Sequence, residues 1–222
     1  MDGVLVDSTP AVARVWSRWA VDHGFDPIWT TKKAHGRPSM ATIQELLPKA
    51  TTEIHQEENQ WMEREEIADV ADVVALPGSL ELLSLLPQNQ FAVVTSATRA
   101  LAEVRLGAAG LLKFTHNLIT SGDITRGKPD PEPYLKGAAY LHCSPADCIV
   151  IEDAPSGVRS GKAAGIRVIA VRTTATDDEL RAAGADWIVD DCSAIRLYKG
   201  DPRQVLVELI DSPDVRRQPK MS

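Results

Sequence analysis

Cys148-Ile149-Val150-Ile151-Glu152-Asp153-Ala154-Pro155 runs from an apolar stretch into two adjacent carboxylates and then a proline. The apolar run predicts a buried strand and the carboxylates its tip. Pro155 predicts the first turn of a following helix, where its fixed φ and missing N–H do no harm. Gly165 falls where that helix must stop, just before Ile166 and a second apolar run, Arg167 to Val171. Strand, helix and strand in that order predict a parallel pair joined by a crossover. The same texture extends both ways. Phe91 to Val94, Asn117 to Thr120 and Trp187 to Val189 are further predicted strands, and Pro77-Gly78-Ser79 and Pro131 mark helix starts among them. From Leu76 onward the chain reads as α/β, a doubly wound, Rossmann-like parallel-sheet core.

Between Thr9 and about Val74 helical periodicity takes over. Val12, Val15, Trp16 and Trp19 recur at three- and four-residue spacing, which gives the first helix one apolar face before Gly24 ends it. The tryptophans are read as the interior of a helical unit, and Glu57, Glu58, Glu63, Glu65 and Glu66 as its polar stretches. Asp7-Ser8 followed by Thr9-Pro10 suits a cap at the start of that helix. The expected organisation is a core of residues 1–9 and 75–211, an inserted α-helical cap over 10–74, and a frayed tail at 212–222. Ile195 to Ile210 carries two alternating runs around Lys199-Gly200-Asp201-Pro202, a predicted hairpin.

The 222 residues include 31 acidic and 24 basic ones, a formal net charge of -7. Such a surface offers nucleic acid or an anionic membrane no favourable field, so neither is an expected partner. No apolar run reaches the ~18 residues of a transmembrane helix, and the start lacks the pattern of a signal peptide, so a cytoplasmic location is expected. Cys143, Cys148 and Cys192 are odd in number and lack Cys-x-x-Cys spacing, which argues against a disulfide framework or a zinc site. They are expected to be buried free thiols.

Chemistry-bearing residues gather at predicted carboxyl ends of strands, where open α/β sheets place their ligand crevice. Thr95 and Ser96 end an apolar strand, where a hydroxyl and freed N–H groups can grip a phosphate oxygen or cap a helix, or both. Lys128, between Gly127 and Pro129, is a cation in a rigid setting rather than on a solvated helix face; Arg126 and Lys136 have no such claim. Glu152 and Asp153 would repel each other unless a cation intervened, and magnesium suits hard oxygen ligands. A helix-start pair favoured by the dipole is the alternative. Asp2 before Gly3 is, taken alone, a turn residue. His35-Gly36-Arg37 breaks the helical region, while Lys32 and Lys33 read as a solvated face.

With Met1-Asp2-Gly3-Val4-Leu5-Val6-Asp7-Ser8 at the front, this order and spacing resembles the haloacid dehalogenase-like hydrolase superfamily. The runs Gly127 to Gly137 and Glu152 to Gly157 are similar to its glycerol-phosphate and sugar-phosphate phosphatases, including the 2-deoxyglucose-6-phosphate type. The resemblance covers nearly the whole chain. It implies magnesium-dependent hydrolysis of a small polyol or sugar phosphate monoester through an aspartyl-phosphate. Asp2 is then the general acid/base, and its backbone carbonyl a magnesium ligand. Asp153 binds the metal directly and Glu152 through water, Lys128 neutralises phosphate charge, and Thr95 holds phosphate with Ser96 adding backbone contact. A one-residue shift of the match exchanges those two hydroxyls. His35, Gly36 and Arg37 form the cap loop that reads the substrate. The nucleophilic aspartate would lie one residue before Met1, together with most of a central first strand, so the chain is read as truncated relative to a functional, monomeric enzyme. A catalytically silent phosphometabolite-binding protein and a sugar-phosphate mutase are the alternatives; a second aspartate disfavours dehalogenation.

Overall fold

A computed structural model describes residues 1–34, 37–199 and 205–210. Among them the order is β1 (Val6–Asp7), α1 (Thr9–Asp22), α2 (Pro27–Ala34), α3 (Ser39–Leu46), α4 (Thr52–Ala68), β2 (Val74–Ala75), α5 (Ser79–Leu85), β3 (Val93–Val94), α6 (Arg99–Ala108), β4 (Leu118–Ile119), α7 (Glu132–Tyr140), β5 (Ile149–Glu152), α8 (Pro155–Ala163), β6 (Arg167–Val171), α9 (Asp177–Ala182), β7 (Trp187–Val189), β8 (Ile195–Lys199) and β9 (Val205–Leu209).

Strand β6 is apolar without alternation because it is covered twice. Val168 and Ala170 pack into one buried cluster with Val158 and Leu180, while Ile169 and Val171 pack into the other with Val6 and Leu106. Successive strand residues point to opposite faces, so a strand between two apolar layers must be apolar throughout. β5, β6 and β7 pair in parallel, Ile151 opposite Ile169 and Ile169 opposite Trp187. This is a Rossmann-like α/β core.

The predicted strands Arg167 to Val171 and Trp187 to Val189 stand as read. Two others are shorter. The Asn117 side-chain amide donates to the Phe91 carbonyl at 2.9 Å, so a side chain takes the place of the next ladder bond and β3 starts only at Val93. Cys148 is held in a turn by its N–H to the Pro145 carbonyl, 3.1 Å, and β5 runs from Ile149 to Glu152 instead. The parallel strands also form two separate ladders, β3 with β4 and β5 to β7. Between them lies a cavity of ≈ 950 Å³ lined by Met1, Val93, Ile149, Ile151, Ile169 and Leu197 among others.

Helices α1 to α4 enclose their own cluster of Val15, Trp16, Trp19, Ile43 and Met62. The helical stretch ends at Ala68 rather than at 74, since Val73 is buried in the main core and Val74 pairs with Asp7. The Arg14 guanidinium on α1 reaches Asp69 at 2.7 Å and Asp72 at 2.6 Å, which fastens the start of this segment to its exit. At the start of α1, Asp7 accepts the Thr9 N–H at 2.9 Å, leaving the Ser8 hydroxyl free for another partner.

β8 and β9 pair antiparallel from Ile195 opposite Leu209 to Lys199 opposite Val205. The predicted turn around Gly200, Asp201 and Pro202, and the tail at 212–222, lie outside the described residues. All three thiols are free, but only Cys192 is buried; Cys143 and Cys148 flank a short surface turn, Pro145–Asp147, and are exposed and half-buried. Among the described residues no helix is long and apolar enough to cross a membrane.

Leu106 is fully buried in the main cluster beside β3. Leu106→Ala is expected to cost about 2–5 kcal/mol and to lower the thermal midpoint by roughly 5–15 °C. A shift below about 2 °C in a calorimetric scan would mean that α6 is not packed as described.

Candidate functional site

The tips of β3 and β5 are joined by one side chain. Lys128 Nζ donates to the Val94 carbonyl at 3.5 Å and to Glu152 Oε1 at 2.5 Å, with only 11% of its side chain exposed. The Tyr134 hydroxyl, from the buried face of α7, donates to the same Glu152 oxygen at 2.5 Å. Glu152 Oε2 accepts the N–H groups of Asp153 and Ala154 at 3.0 and 3.2 Å. Both oxygens of Glu152 are thus engaged. Burial works to raise this carboxyl, but the Lys128 ammonium, the N-terminal ammonium and the hydrogen bonds from Lys128 and Tyr134 outweigh it and hold it below the usual range. The Tyr134 hydroxyl is pushed well up by its own burial and by the Glu152 charge.

Asp153 is treated differently. Its Oδ2 accepts the Thr174 hydroxyl at 2.5 Å, and Oδ1 has no hydrogen-bond partner among the described residues. Burial first, and the charge of Glu152 second, push this carboxyl up. Gly3 lies directly against it: with φ at 70°, a Cβ there would collide with Asp153 Oδ2 and Thr174 Cγ2, so only glycine fits. Thr173 donates its hydroxyl to the Gly3 carbonyl and fastens the turn from the other side. That turn is closed by the Leu5 N–H to the Met1 carbonyl, 2.7 Å, and the Gly3 N–H to the Val6 carbonyl, 2.9 Å. It presents Asp2, whose Oδ1 accepts Ser8 Oγ at 2.7 Å and Arg105 Nη1 at 3.0 Å.

Past β3, Thr95 is 4% exposed, and its hydroxyl accepts the Ala97 N–H at 3.1 Å. Ser96 is exposed at the turn, and Thr98 caps α6 through the Leu101 N–H. A continuous chain of contacts therefore links Asp2 and Gly3 to Asp153, Glu152, Lys128 and the end of β3 at Thr95. Arg37 is not part of it: its guanidinium pairs with Glu45 on α3 at 2.8 Å, as does Lys33 at 2.6 Å. Lys33 is therefore tied down, whereas Lys32 is exposed. His35 and Gly36 lie outside the described residues.

Sequence reading missed Tyr134, Thr174 and Arg105. Arg105 left a signal, being an arginine on the apolar face of α6 four residues after Leu101. Tyr134 stands inside the glycine- and proline-rich run that flagged Lys128. Nothing in the local pattern around Thr174 marks it.

The donors suit a hard divalent cation. No group of three or more histidine, cysteine or acidic side chains placed to hold a metal ion occurs among the described residues, so an ion here would rely on Asp153, main-chain carbonyls and water. Magnesium characteristically keeps several waters and takes one or two carboxylates. The raised Asp153 carboxyl, with Oδ1 unpartnered, is a buried negative charge that such an ion would compensate.

The family model for haloacid dehalogenase-like hydrolases matches residues 1–171. Hexitol phosphatase A of Escherichia coli is 36% identical over 211 residues, spanning 94% of this chain and 96% of its own length. Glycerol-1-phosphate phosphohydrolase 2 of Saccharomyces cerevisiae is 32% identical over 208 residues, spanning 89% of this chain and 82% of its own. In three dimensions, a HAD hydrolase of family IA, variant 3, from Entamoeba histolytica superposes with a TM-score of 0.79 at 25% identity, over 88% of this chain and 92% of its own.

Because the Asp153 carboxyl is raised in the fold, its contribution to stability is present below the unfolded value and is lost as pH rises through the folded one. Asp153→Asn is therefore expected to stabilise the magnesium-free protein by about 1–2 kcal/mol at a pH near ~8, and to give no gain near ~4. A rise in thermal midpoint on adding magnesium is expected in the wild type and not in this variant. A destabilised Asp153→Asn protein in chelator at the higher pH would contradict the uncompensated charge.

Proposed function

The chain belongs to the haloacid dehalogenase-like hydrolase family, and from that premise we propose that it is a phosphatase hydrolysing a small polyol or sugar phosphate monoester with magnesium as cofactor. The observation that carries the reading is the junction made by Lys128 between the tips of β3 and β5, beside Asp153 and the Asp2 turn. Both relatives are named for phosphates of polyols, a hexitol and glycerol, which favours a polyol ester as substrate.

In this reading the phosphoryl group lies at the carboxyl ends of β3 and β5. Lys128, fixed by Glu152 and Val94, offsets its negative charge as oxygens crowd around phosphorus. Thr95 and Ser96 supply hydroxyl and N–H donors, the exposed Ser96 hydroxyl being the more accessible of the two. Asp2 gives a proton to the departing alkoxide and later takes one from the attacking water. The aspartyl-phosphate route takes its nucleophile not from Asp2 but from another aspartate carboxylate. That carboxylate attacks phosphorus, the ester oxygen leaves with the Asp2 proton, and water releases inorganic phosphate from the aspartyl-phosphate. Held by Asp153, the Asp2 carbonyl and, through water, Glu152, magnesium would draw charge from the phosphate oxygens. Helices α1 to α4 act as the cap that excludes bulk water, and His35, Gly36 and Arg37 as its substrate-reading loop, Arg37 exchanging Glu45 for the substrate. The enzyme works as a cytoplasmic monomer.

The test is release of inorganic phosphate by protein isolated from its native source, with its intact mass measured. Glycerol 1-phosphate, glycerol 3-phosphate, sorbitol 6-phosphate, glucose 6-phosphate and 2-deoxyglucose 6-phosphate are compared with and without magnesium. Magnesium-dependent turnover is expected, fastest on a polyol ester, and Lys128→Ala should lower kcat by about 100-fold or more. Tight binding of the esters without release from any of them would replace the phosphatase by a phosphometabolite-binding protein. Full activity in Lys128→Ala would mean that the site is misplaced.

A further inference from the structure

Arg105 lies on the buried face of α6 between Leu101, Ala102 and Leu106, where a charged side chain is out of pattern. Its side chain is 6% exposed and is held between carboxylates from two parts of the molecule. Nη1 donates to Asp2 Oδ1 at 3.0 Å, and Nη2 lies 3.2 Å from Glu66 Oε2 on α4. Yet Nε and Nη2 make no well-formed hydrogen bond. A buried guanidinium with unmade donors is costly, so packing alone does not account for it. Ser8 Oγ binds the same oxygen of Asp2 at 2.7 Å, which leaves Asp2 Oδ2 without a hydrogen-bond partner among the described residues.

We propose that Arg105 is a positioning residue: it holds Asp2 by Oδ1 so that Oδ2 faces the reacting atoms, and it couples that orientation to the seating of α4. The inference rests on the reading of Asp2 as general acid and base. A guanidinium offers its donors in a fixed fork that fits both oxygens of one carboxylate. While α4 is seated, Glu66 draws Nη2 aside and only Nη1 is left for Asp2. When α4 moves away, Nη2 is free to join Nη1 on Asp2, and Oδ2 is withdrawn from proton transfer. Glu63, one turn earlier on the same face of α4, accepts the Thr98 hydroxyl at 2.5 Å at the start of α6. The two helices are therefore gripped at both ends of the contact.

The experiment compares wild type, Arg105→Met, Glu66→Gln and the double variant on whichever ester turns over, with Leu106→Ala as a control for loss of packing. Arg105→Met should lower kcat by about 10- to 100-fold with KM changed by less than about twofold. Glu66→Gln should lower kcat as well, and the double variant should be no slower than Arg105→Met alone, because Glu66 acts only through Arg105. Hydrogen exchange provides a readout independent of turnover: Arg105→Met should accelerate exchange in residues 1–8 and in α4 together, while Leu106→Ala should loosen α6 without singling out those two segments. Multiplying effects in the double variant, an unchanged kcat in folded Arg105→Met, or unaltered exchange in either segment would overturn the proposal. If the wild type turns over none of the esters, the phosphatase reading fails, and the exchange comparison still decides the coupling.

Discussion

Glu152 and Asp153 set two carboxylates side by side at the end of β5, 4% and 8% exposed, and the surrounding structure has to answer for both. Desolvating one carboxylate is expensive, and a second beside it adds repulsion that water no longer screens. The fold compensates them unequally. Glu152 takes the ammonium of Lys128, the hydroxyl of Tyr134 and two backbone N–H groups, so it stays ionised. Asp153 receives one hydroxyl from Thr174, and its other oxygen takes no hydrogen bond from the described residues. The asymmetry leaves Glu152 fully engaged by the protein and Asp153 the less well compensated of the two.

Satisfying Glu152 also fixes the crevice. Lys128 cannot reach Glu152 and the Val94 carbonyl together unless the ends of β3 and β5 are held at a set spacing, although no ladder joins those strands. Gly157 on α8 and Gly3 on the first turn are needed for the same reason, since a Cβ at either would collide with one of the two carboxylates. Backbone can approach these oxygens closely only where a side chain is missing. The Asp2 turn is thereby pinned onto Asp153 without any covalent or sheet connection to β5.

These arrangements were unevenly legible in the sequence. β6 and β7 could be read to the residue because, apart from the exposed Arg167 at the start of β6, a strand covered on both faces has no polar position to blur its limits. β3 and β4 could not, because the Asn117 amide that ends their ladder acts through tertiary contact rather than through its own strand propensity. Asp2, Lys128, Glu152 and Asp153 were visible because each sits in a local pattern of glycine, proline and apolar residues that restricts the backbone. Thr174 and Tyr134 reach Glu152 and Asp153 across 18 to 21 residues of chain, and no local rule encodes such a meeting. Arg37 carried a clear local signal, a break in helical periodicity, but the partner it finds is Glu45 within the helical segment.

The balance of charge bears on the proposed pairing of a divalent cation with a phosphate ester at this place. Asp2, Glu66, Glu152 and Asp153 are four buried or half-buried carboxylates, and the cations in contact with them are Lys128 and Arg105. Fully ionised, the group carries an excess of negative charge that would repel a phosphate dianion at short range. Protonation can relieve it, and the raised carboxyls of Asp153 and Glu66 both lean that way. For Asp153 the proposed metal ion would be the more useful relief, because it would neutralise the carboxylate and attract an anionic substrate at once. Glu66 faces Arg105 instead, which offsets only part of the effect of its burial. The same excess of carboxylate that makes the site costly to fold thus leaves two separate points where charge is incompletely answered, Asp153 for the proposed cation and the Arg105 contact between α6 and α4.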